Sequence, residues 1–166
     1  MSVSLARLRF LVVDDNTHAV NLVKTMLRGF GADRLQDAQT VAAAKQQMTA
    51  APADIVILDY MLGGEEGVTF ARWLRNAPES PAPYAPIILL TGHADRAKLM
   101  AARDAGVNEF CVKPVTPADL MKRIAWVIDK PRPFVRSPDY FGPDRRRKDD
   151  PNYKGPERRG DRRPKT

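Results

Sequence analysis

The chain has 166 residues, 43% of them hydrophobic, which suits one domain with a real core plus an extension. Charge is unevenly held: residues 1–130 carry 15 Lys/Arg against 14 Asp/Glu, whereas residues 131–166 carry 12 against 6. These figures exclude a wholly disordered chain, and no window is apolar and long enough to span a bilayer.

Met1–Phe10 holds Arg7 and Arg9 without a long apolar run, which argues against a signal peptide. Leu8–Val13 is a short apolar run that ends in Asp14-Asp15-Asn16, and it reads as a buried strand with acidic residues at its carboxyl end. His18 to Phe30 places Val20, Val23, Leu27 and Phe30 near helical spacing, with Gly31 as the stop. A weak second strand near Arg34–Asp37 and a helix over Thr40–Ala50 follow. Asp54–Asp59 is the clearest strand; its four consecutive aliphatics fit a parallel strand covered on both faces. Gly63-Gly64 breaks the chain and should loosen it locally. Val68–Asn76 reads as a helix, and Pro78, Pro81, Pro83 and Pro86 mark a stiff loop. Ile87–Leu90 is a strand ending at Thr91-Gly92, and Ala94–Ala105 is a helix stopped by Gly106. Val107–Val112 is the last strand, ending at Lys113-Pro114. Thr116 caps a final helix from Pro117 to about Asp129. Cys111, the single cysteine, sits in an apolar run; with no partner for a disulfide it indicates a reducing compartment and a cytoplasmic location.

The alternation predicts an α/β fold: a doubly wound, five-stranded parallel sheet with helices on both faces. Such sheets bind ligands at the carboxyl ends of their strands. Four strands here end in polar residues: Asp14 with Asp15, Asp59, Thr91 and Lys113. Any one of these has an ordinary reading as a turn or cap residue. Together they place three carboxylates, a hydroxyl and an ammonium on one edge. Three carboxylates in one cleft persist when a hard cation such as Mg²⁺ neutralises them through oxygen ligation. A flavin or nucleotide module would want a Gly/Ser/Thr-rich loop after the first strand, where this chain is acidic. An aspartyl phosphatase would want a second Asp two residues after the nucleophile, where Met61 stands.

The order Asp-Asp, Asp, Thr-Gly, Lys-Pro over residues 7–130 resembles the receiver domain of bacterial response regulators of the single-domain, CheY-like kind. Gly67 and Phe110 also match that pattern. The resemblance implies a flavodoxin-like fold and a role in a two-component phosphorelay. Asp59 would be the phosphoacceptor. Asp14 and Asp15 would hold Mg²⁺ with Asp59 and the Met61 carbonyl. Thr91 would sense the phosphoryl group, Lys113 would pair with it, Phe110 would be the aromatic switch, and the Lys113–Pro114 bond would be cis. A histidine kinase or phosphotransfer protein would supply the phosphoryl group, and an unidentified output protein would receive the signal. Such a chain assists its own phosphorylation and slow dephosphorylation and is not a turnover enzyme. Leu62-Gly63 stand where many members carry Met-Pro.

Residues 131–166 are expected to be a largely disordered basic tail beyond a receiver spanning 1–130. Seven of the 14 prolines fall there. No winged helix or helix-turn-helix can be read in it, so specific DNA binding is not expected. Its order is a repeat: Phe141-Gly142-Pro143-Asp144-Arg145-Arg146-Arg147 is echoed by Lys154-Gly155-Pro156-Glu157-Arg158-Arg159. Arginines beside Phe134, Tyr140, Phe141 and Tyr153 suit phosphates and stacked bases. The segment resembles the Arg-rich extensions of CheY-like cyclic di-GMP effectors. That resemblance implies nucleotide contacts from Arg145, Arg146, Arg147, Arg158 and Arg159, stacking by Tyr140 or Tyr153, and a guanine-edge acceptor in Asp144 or Glu157. Two other readings stand beside it: a peptide that docks on protein, and a nonspecific polyanion contact.

Overall fold

The computed structural model describes residues 4–92 and 96–145. Five strands form one parallel sheet in the order β2-β1-β3-β6-β7. They are β1 (Arg9–Val13), β2 (Arg34–Ala38), β3 (Ile55–Asp59), β6 (Ile87–Thr91) and β7 (Glu109–Val112). Two short antiparallel pairs stand outside that sheet: β4 (Met61–Leu62) with β5 (Glu65–Glu66), and β8 (Phe134–Ser137) with β9 (Tyr140–Pro143).

Side chains alternate across the sheet with the period-2 pattern of strands. On one face Phe10, Val12, Ile55, Ile57, Ile88, Leu90 and Cys111 pack against α1 (Thr17–Gly29) and α5 (Pro117–Asp129). On the other, Leu11, Val13, Val56, Leu58, Ile87 and Leu89 pack against α2 (Val41–Ala50), α3 (Val68–Asn76) and α4 (Arg96–Asp104). β1, β3 and β6 are covered on both sides, which is why their sequences read as unbroken apolar runs. β2 is an edge strand with intermediate burial, which explains its weak sequence signal. Asn16, Thr40 and Thr116 cap α1, α2 and α5 by accepting the backbone N–H three residues on.

Gly63 and Gly64 do not loosen the chain. Both have positive φ, +57° and +94°, as the two central residues of a primed hairpin turn between β4 and β5. Gly67 opens α3 with its N–H on the Tyr60 carbonyl, and a Cβ there would collide with the Asp59 carbonyl.

The packed chain does not end at residue 130. β8 and β9 form a hairpin over the end of α3 and the turn between α4 and β7. Tyr140 and Phe141 are buried, and Phe141 and Phe134 lie 5.3 Å and 5.1 Å from the ring of Tyr84. Gly142 packs against the Cα of Gly106 so closely that a Cβ would be 2.9 Å from it. Beneath the hairpin lies Arg75, 1% exposed. Its guanidinium donates to the carbonyls of Gly106, Pro83 and Ala85 and to Asn108 Oδ1, at 2.7–3.0 Å, with the Phe134 ring 5.0 Å away. Burial draws its pKa down to about 9, which leaves it charged at neutral pH. The basic tail expected from residue 131 therefore begins as fifteen residues of packed structure. The strand pair seals a buried cation, and that arrangement has no signature in charge or composition.

Candidate functional site

The parallel sheet delivers Asp14, Asp59, Thr91 and Lys113 to one edge, because β1, β3, β6 and β7 all end there. Asp59 closes β3 and is nearly buried, Asp14 follows β1 at 2% exposure, and Asp15 beside it is exposed. One carboxylate oxygen from each of the three lies within 4.8 Å of the others. Lys113 Nζ stands 2.9 Å from Asp59 Oδ1 and 3.6 Å from Asp14 Oδ2. The Lys113–Pro114 peptide is cis. The Tyr60 N–H donates to Asp59 Oδ1 at 3.0 Å, and the Asn16 N–H donates to Asp14 Oδ1 at 3.0 Å. Asp14 Oδ2 is buried and accepts no hydrogen bond among the described residues.

Burial raises the Asp59 pKa above the ordinary carboxylate range, and the Asp14 charge adds to the rise. The hydrogen bond from Lys113 and the Tyr60 amide pull it the other way. Lys113 loses hydration on burial, but its contacts with Asp59 and Asp14 outweigh this and hold its pKa above the usual lysine value. One cation thus faces three carboxylates. The excess negative charge, and the buried Asp14 oxygen that accepts no hydrogen bond among the described residues, fit a further hard cation, for which oxygen donors are the right chemistry.

Thr91 is buried at the end of β6, and the Lys113 N–H donates to its carbonyl at 2.8 Å. Phe110 is half-buried on β7 opposite Leu89, resting against the core on the α2–α4 face. Met61 begins β4, two residues beyond Asp59, with an exposed side chain. Gly63 forms the tip of that hairpin near Asp15: a Cβ on it would be 3.6 Å from Asp15 Oδ2. This contact was not expected from the sequence. The signal that carries it is a two-residue Gly-Gly flanked by pairable residues.

Tail residues separate into two groups. Tyr140, Asp144 and Arg145 belong to the packed hairpin; Arg146, Arg147, Arg158, Arg159, Tyr153 and Glu157 lie outside the described residues. Tyr140 is 7% exposed, donates its hydroxyl to the Pro143 carbonyl at 2.7 Å, and has the Arg145 guanidinium 4.2 Å from its ring centre. In this conformation the Tyr140 ring is enclosed, with the Arg145 guanidinium across one face. Asp144 donates its N–H to the Pro133 carbonyl at 2.8 Å. Arg145 Nη1 pairs with Asp104 Oδ1 at 2.5 Å.

A doubly wound sheet that gathers three carboxylates, a threonine and a lysine on its carboxyl edge defines a receiver module. The chain belongs to the response regulator receiver domain family, whose model matches residues 10–125. It is 28% identical over 123 residues to the chemotaxis protein CheY-3 of Vibrio cholerae, covering 74% of this chain and 93% of that one. It is 32% identical over 117 residues to the cyclic di-GMP phosphodiesterase response regulator RpfG of Xanthomonas campestris, but that match covers 70% of this chain and only 30% of RpfG. Among solved structures, a response regulator from Chloroflexus aurantiacus superposes with a TM-score of 0.67 at 28% identity, covering 74% of this chain and 98% of that one. A receiver domain of a Pseudomonas aeruginosa sensor histidine kinase, solved with magnesium in its active-site cleft, shares the fold with a TM-score of 0.65 at 24% identity, covering 74% and 98%. The protein is thus a CheY-like receiver of two-component signalling. No helix of the described residues is long and apolar enough to cross a membrane.

Proposed function

We propose that Asp59 accepts a phosphoryl group from a histidine kinase or phosphotransfer protein, and that the protein signals through protein contact and its Arg-rich extension. The observation that carries the reading is the Asp59–Lys113 pair at 2.9 Å beside the buried Asp14 oxygen, which has Lys113 Nζ at 3.6 Å and accepts no hydrogen bond among the described residues. An ionised carboxylate is a competent nucleophile once its charge is balanced, and it needs no general base. In the transfer, a bond forms between an Asp59 oxygen and phosphorus while the bond from phosphorus to the donor atom breaks. The donor atom keeps the electron pair. Lys113 offsets charge on the phosphoryl oxygens, the Thr91 hydroxyl donates a hydrogen bond to one of them, and Phe110 follows Thr91 inward. Asp14, Asp15, Asp59 and the Met61 carbonyl would hold Mg²⁺, which supplies charge neutralisation for an in-line transfer. Incubation with acetyl phosphate and Mg²⁺, followed by intact-mass spectrometry, tests this. One added phosphoryl group is expected on the wild-type chain and none on Asp59→Asn; equal labelling of both overturns it.

The repeated Gly-Pro-acid-Arg-Arg units support cyclic di-GMP as the ligand of the extension, with Arg146, Arg147, Arg158 and Arg159 as its contacts. One observation favours the protein-docking reading instead: the described part of the first unit, residues 142–145, is folded against a protein surface, its own domain. Calorimetric titration of cyclic di-GMP at two salt concentrations separates them. Binding retained at the higher salt supports the nucleotide; absence of binding leaves the docking peptide.

A further inference from the structure

The β8–β9 hairpin straddles two parts of the domain that belong to different mechanical units. On one side it meets the start of β7, which is fixed in the sheet: Arg132 donates to the Asn108 carbonyl, Gly142 packs on Gly106, and Phe134 covers Arg75. On the other side it meets the end of α4. Arg145 pairs there with Asp104, and the Arg103 guanidinium donates to the Arg145 carbonyl at 3.2 Å. α4 is lightly held. It buries only Ala102, whereas α3 buries five residues. It is also the first described helix after Thr91, which ends β6 on the edge that carries Asp59.

We propose that the Arg145–Asp104 pair is a releasable latch that ties the root of the Arg-rich extension to α4. This inference rests on phosphorylation of Asp59 as the event that displaces α4. A shift of α4 relative to β7 strains the hairpin, and the weaker attachment gives way. The sheet-side attachment is buried and aromatic. The α4-side attachment is an ion pair whose aspartate side chain is 60% exposed, worth roughly fivefold in an equilibrium at most. Arg145 therefore detaches while the hairpin stays in place. Release does two things: it uncovers one face of the Tyr140 ring, and it frees the Arg145 guanidinium for an anionic partner.

The test uses the full chain and nuclear magnetic resonance of the Arg145 Nη1 protons, which meet Asp104. In the resting wild-type chain they should exchange up to about fivefold more slowly than those of a free arginine and give a distinct signal. Asp104→Asn should abolish that signal without any phosphoryl mimic, and a retained signal overturns the latch whatever Asp59 does. Addition of beryllium fluoride with Mg²⁺ should shift the amides of Thr91 and Gly92 and remove the Arg145 signal together. Shifted Thr91 and Gly92 amides with an unchanged Arg145 signal overturn the coupling. If those two amides do not shift, the phosphoacceptor reading fails, and the Asp104→Asn result alone decides the latch.

Discussion

Phe141 is where the hairpin is anchored, and its removal has a calculable cost. The side chain is 5% exposed, with ring neighbours Tyr84 at 5.3 Å and Phe134 at 5.5 Å and the Arg136 guanidinium 4.0 Å from its centre. Burial of a phenylalanine contributes about 1.5–3 kcal/mol, and the aromatic pairs add about 0.5–1.5 kcal/mol. Phe141→Ala should therefore weaken hairpin docking by about 3 kcal/mol. The hairpin can open without unfolding the sheet, so the loss belongs to a local equilibrium. Amide hydrogen exchange of Val135, Gly142 and Asp144, which face the partner strand in the hydrogen-bonded pairs of the hairpin, should accelerate by about 100-fold, since each 1.4 kcal/mol is tenfold. Amides of Val56, Ile57 and Leu58 in β3 should keep their protection. Unchanged exchange in the hairpin would show that its docking does not depend on this ring, and the boundary at residue 130 would be restored. Loss of protection in β3 as well would mean that the hairpin and sheet unfold as one unit.

Arg75→Ala should lower stability by about 3 kcal/mol, because the buried carbonyls of Gly106 and Ala85 and the part-buried carbonyl of Pro83 lose their donor while Asn108 Oδ1 keeps the Ile87 N–H; thermal unfolding would read it as a large fall in Tm. Lys113→Ala should slow phosphorylation from acetyl phosphate by on the order of a hundredfold, the scale for removing one preorganised charge. It should not weaken Mg²⁺ binding, because it removes a competing cation; a parallel loss of Mg²⁺ affinity would contradict the charge argument. Asp14→Asn should weaken Mg²⁺ binding, measured by titration, by about tenfold or more through loss of an anionic oxygen donor. Gly106→Ala should destabilise by about 1–3 kcal/mol in denaturant titration, since its φ is +95° and its Cβ would lie 2.8 Å from Arg75 Cγ.

The receiver sheet was legible because each of its buried strands is an apolar run closed by a chemically distinctive residue. Parallel topology then does the assembly: strands that point the same way bring their last residues to one edge. Asp14, Asp59, Thr91 and Lys113 could be placed together on that ground alone. The edge strand β2 was faint because one side chain in five is buried. Arg75 was illegible. It sits in an amphipathic helix as an ordinary charged residue, and the acceptors around it come from residues 83, 85, 106 and 108, which only the fold brings together. The hairpin was obscured by its charge. The strands Phe134–Ser137 and Tyr140–Pro143 are joined by Pro138-Asp139, a pair without the glycine that marks a two-residue hairpin in sequence. The surrounding prolines and arginines favour a reading of disorder.

The folded first unit also shows what the repeat encodes. Its shared positions contact each other: the Tyr140 hydroxyl reaches the Pro143 carbonyl, Gly142 makes room for that hydroxyl, and Arg145 lies over the Tyr140 ring. Tyr153, Gly155, Pro156 and Arg158 stand at the corresponding positions of the second unit. One position that differs faces the domain: Phe141, set against Tyr84 and Phe134, is answered by Lys154. The shared residues thus specify a turn, and Phe141 adds an apolar contact with the domain. A lysine cannot fill the space between Tyr84 and Phe134 without burying an unpaired charge. Phe141→Lys should accordingly undock the hairpin at least as far as Phe141→Ala does, read by the same hydrogen exchange. If Phe141→Lys retains wild-type protection, the dock does not discriminate between the two units, and the second one is a competitor for the same surface.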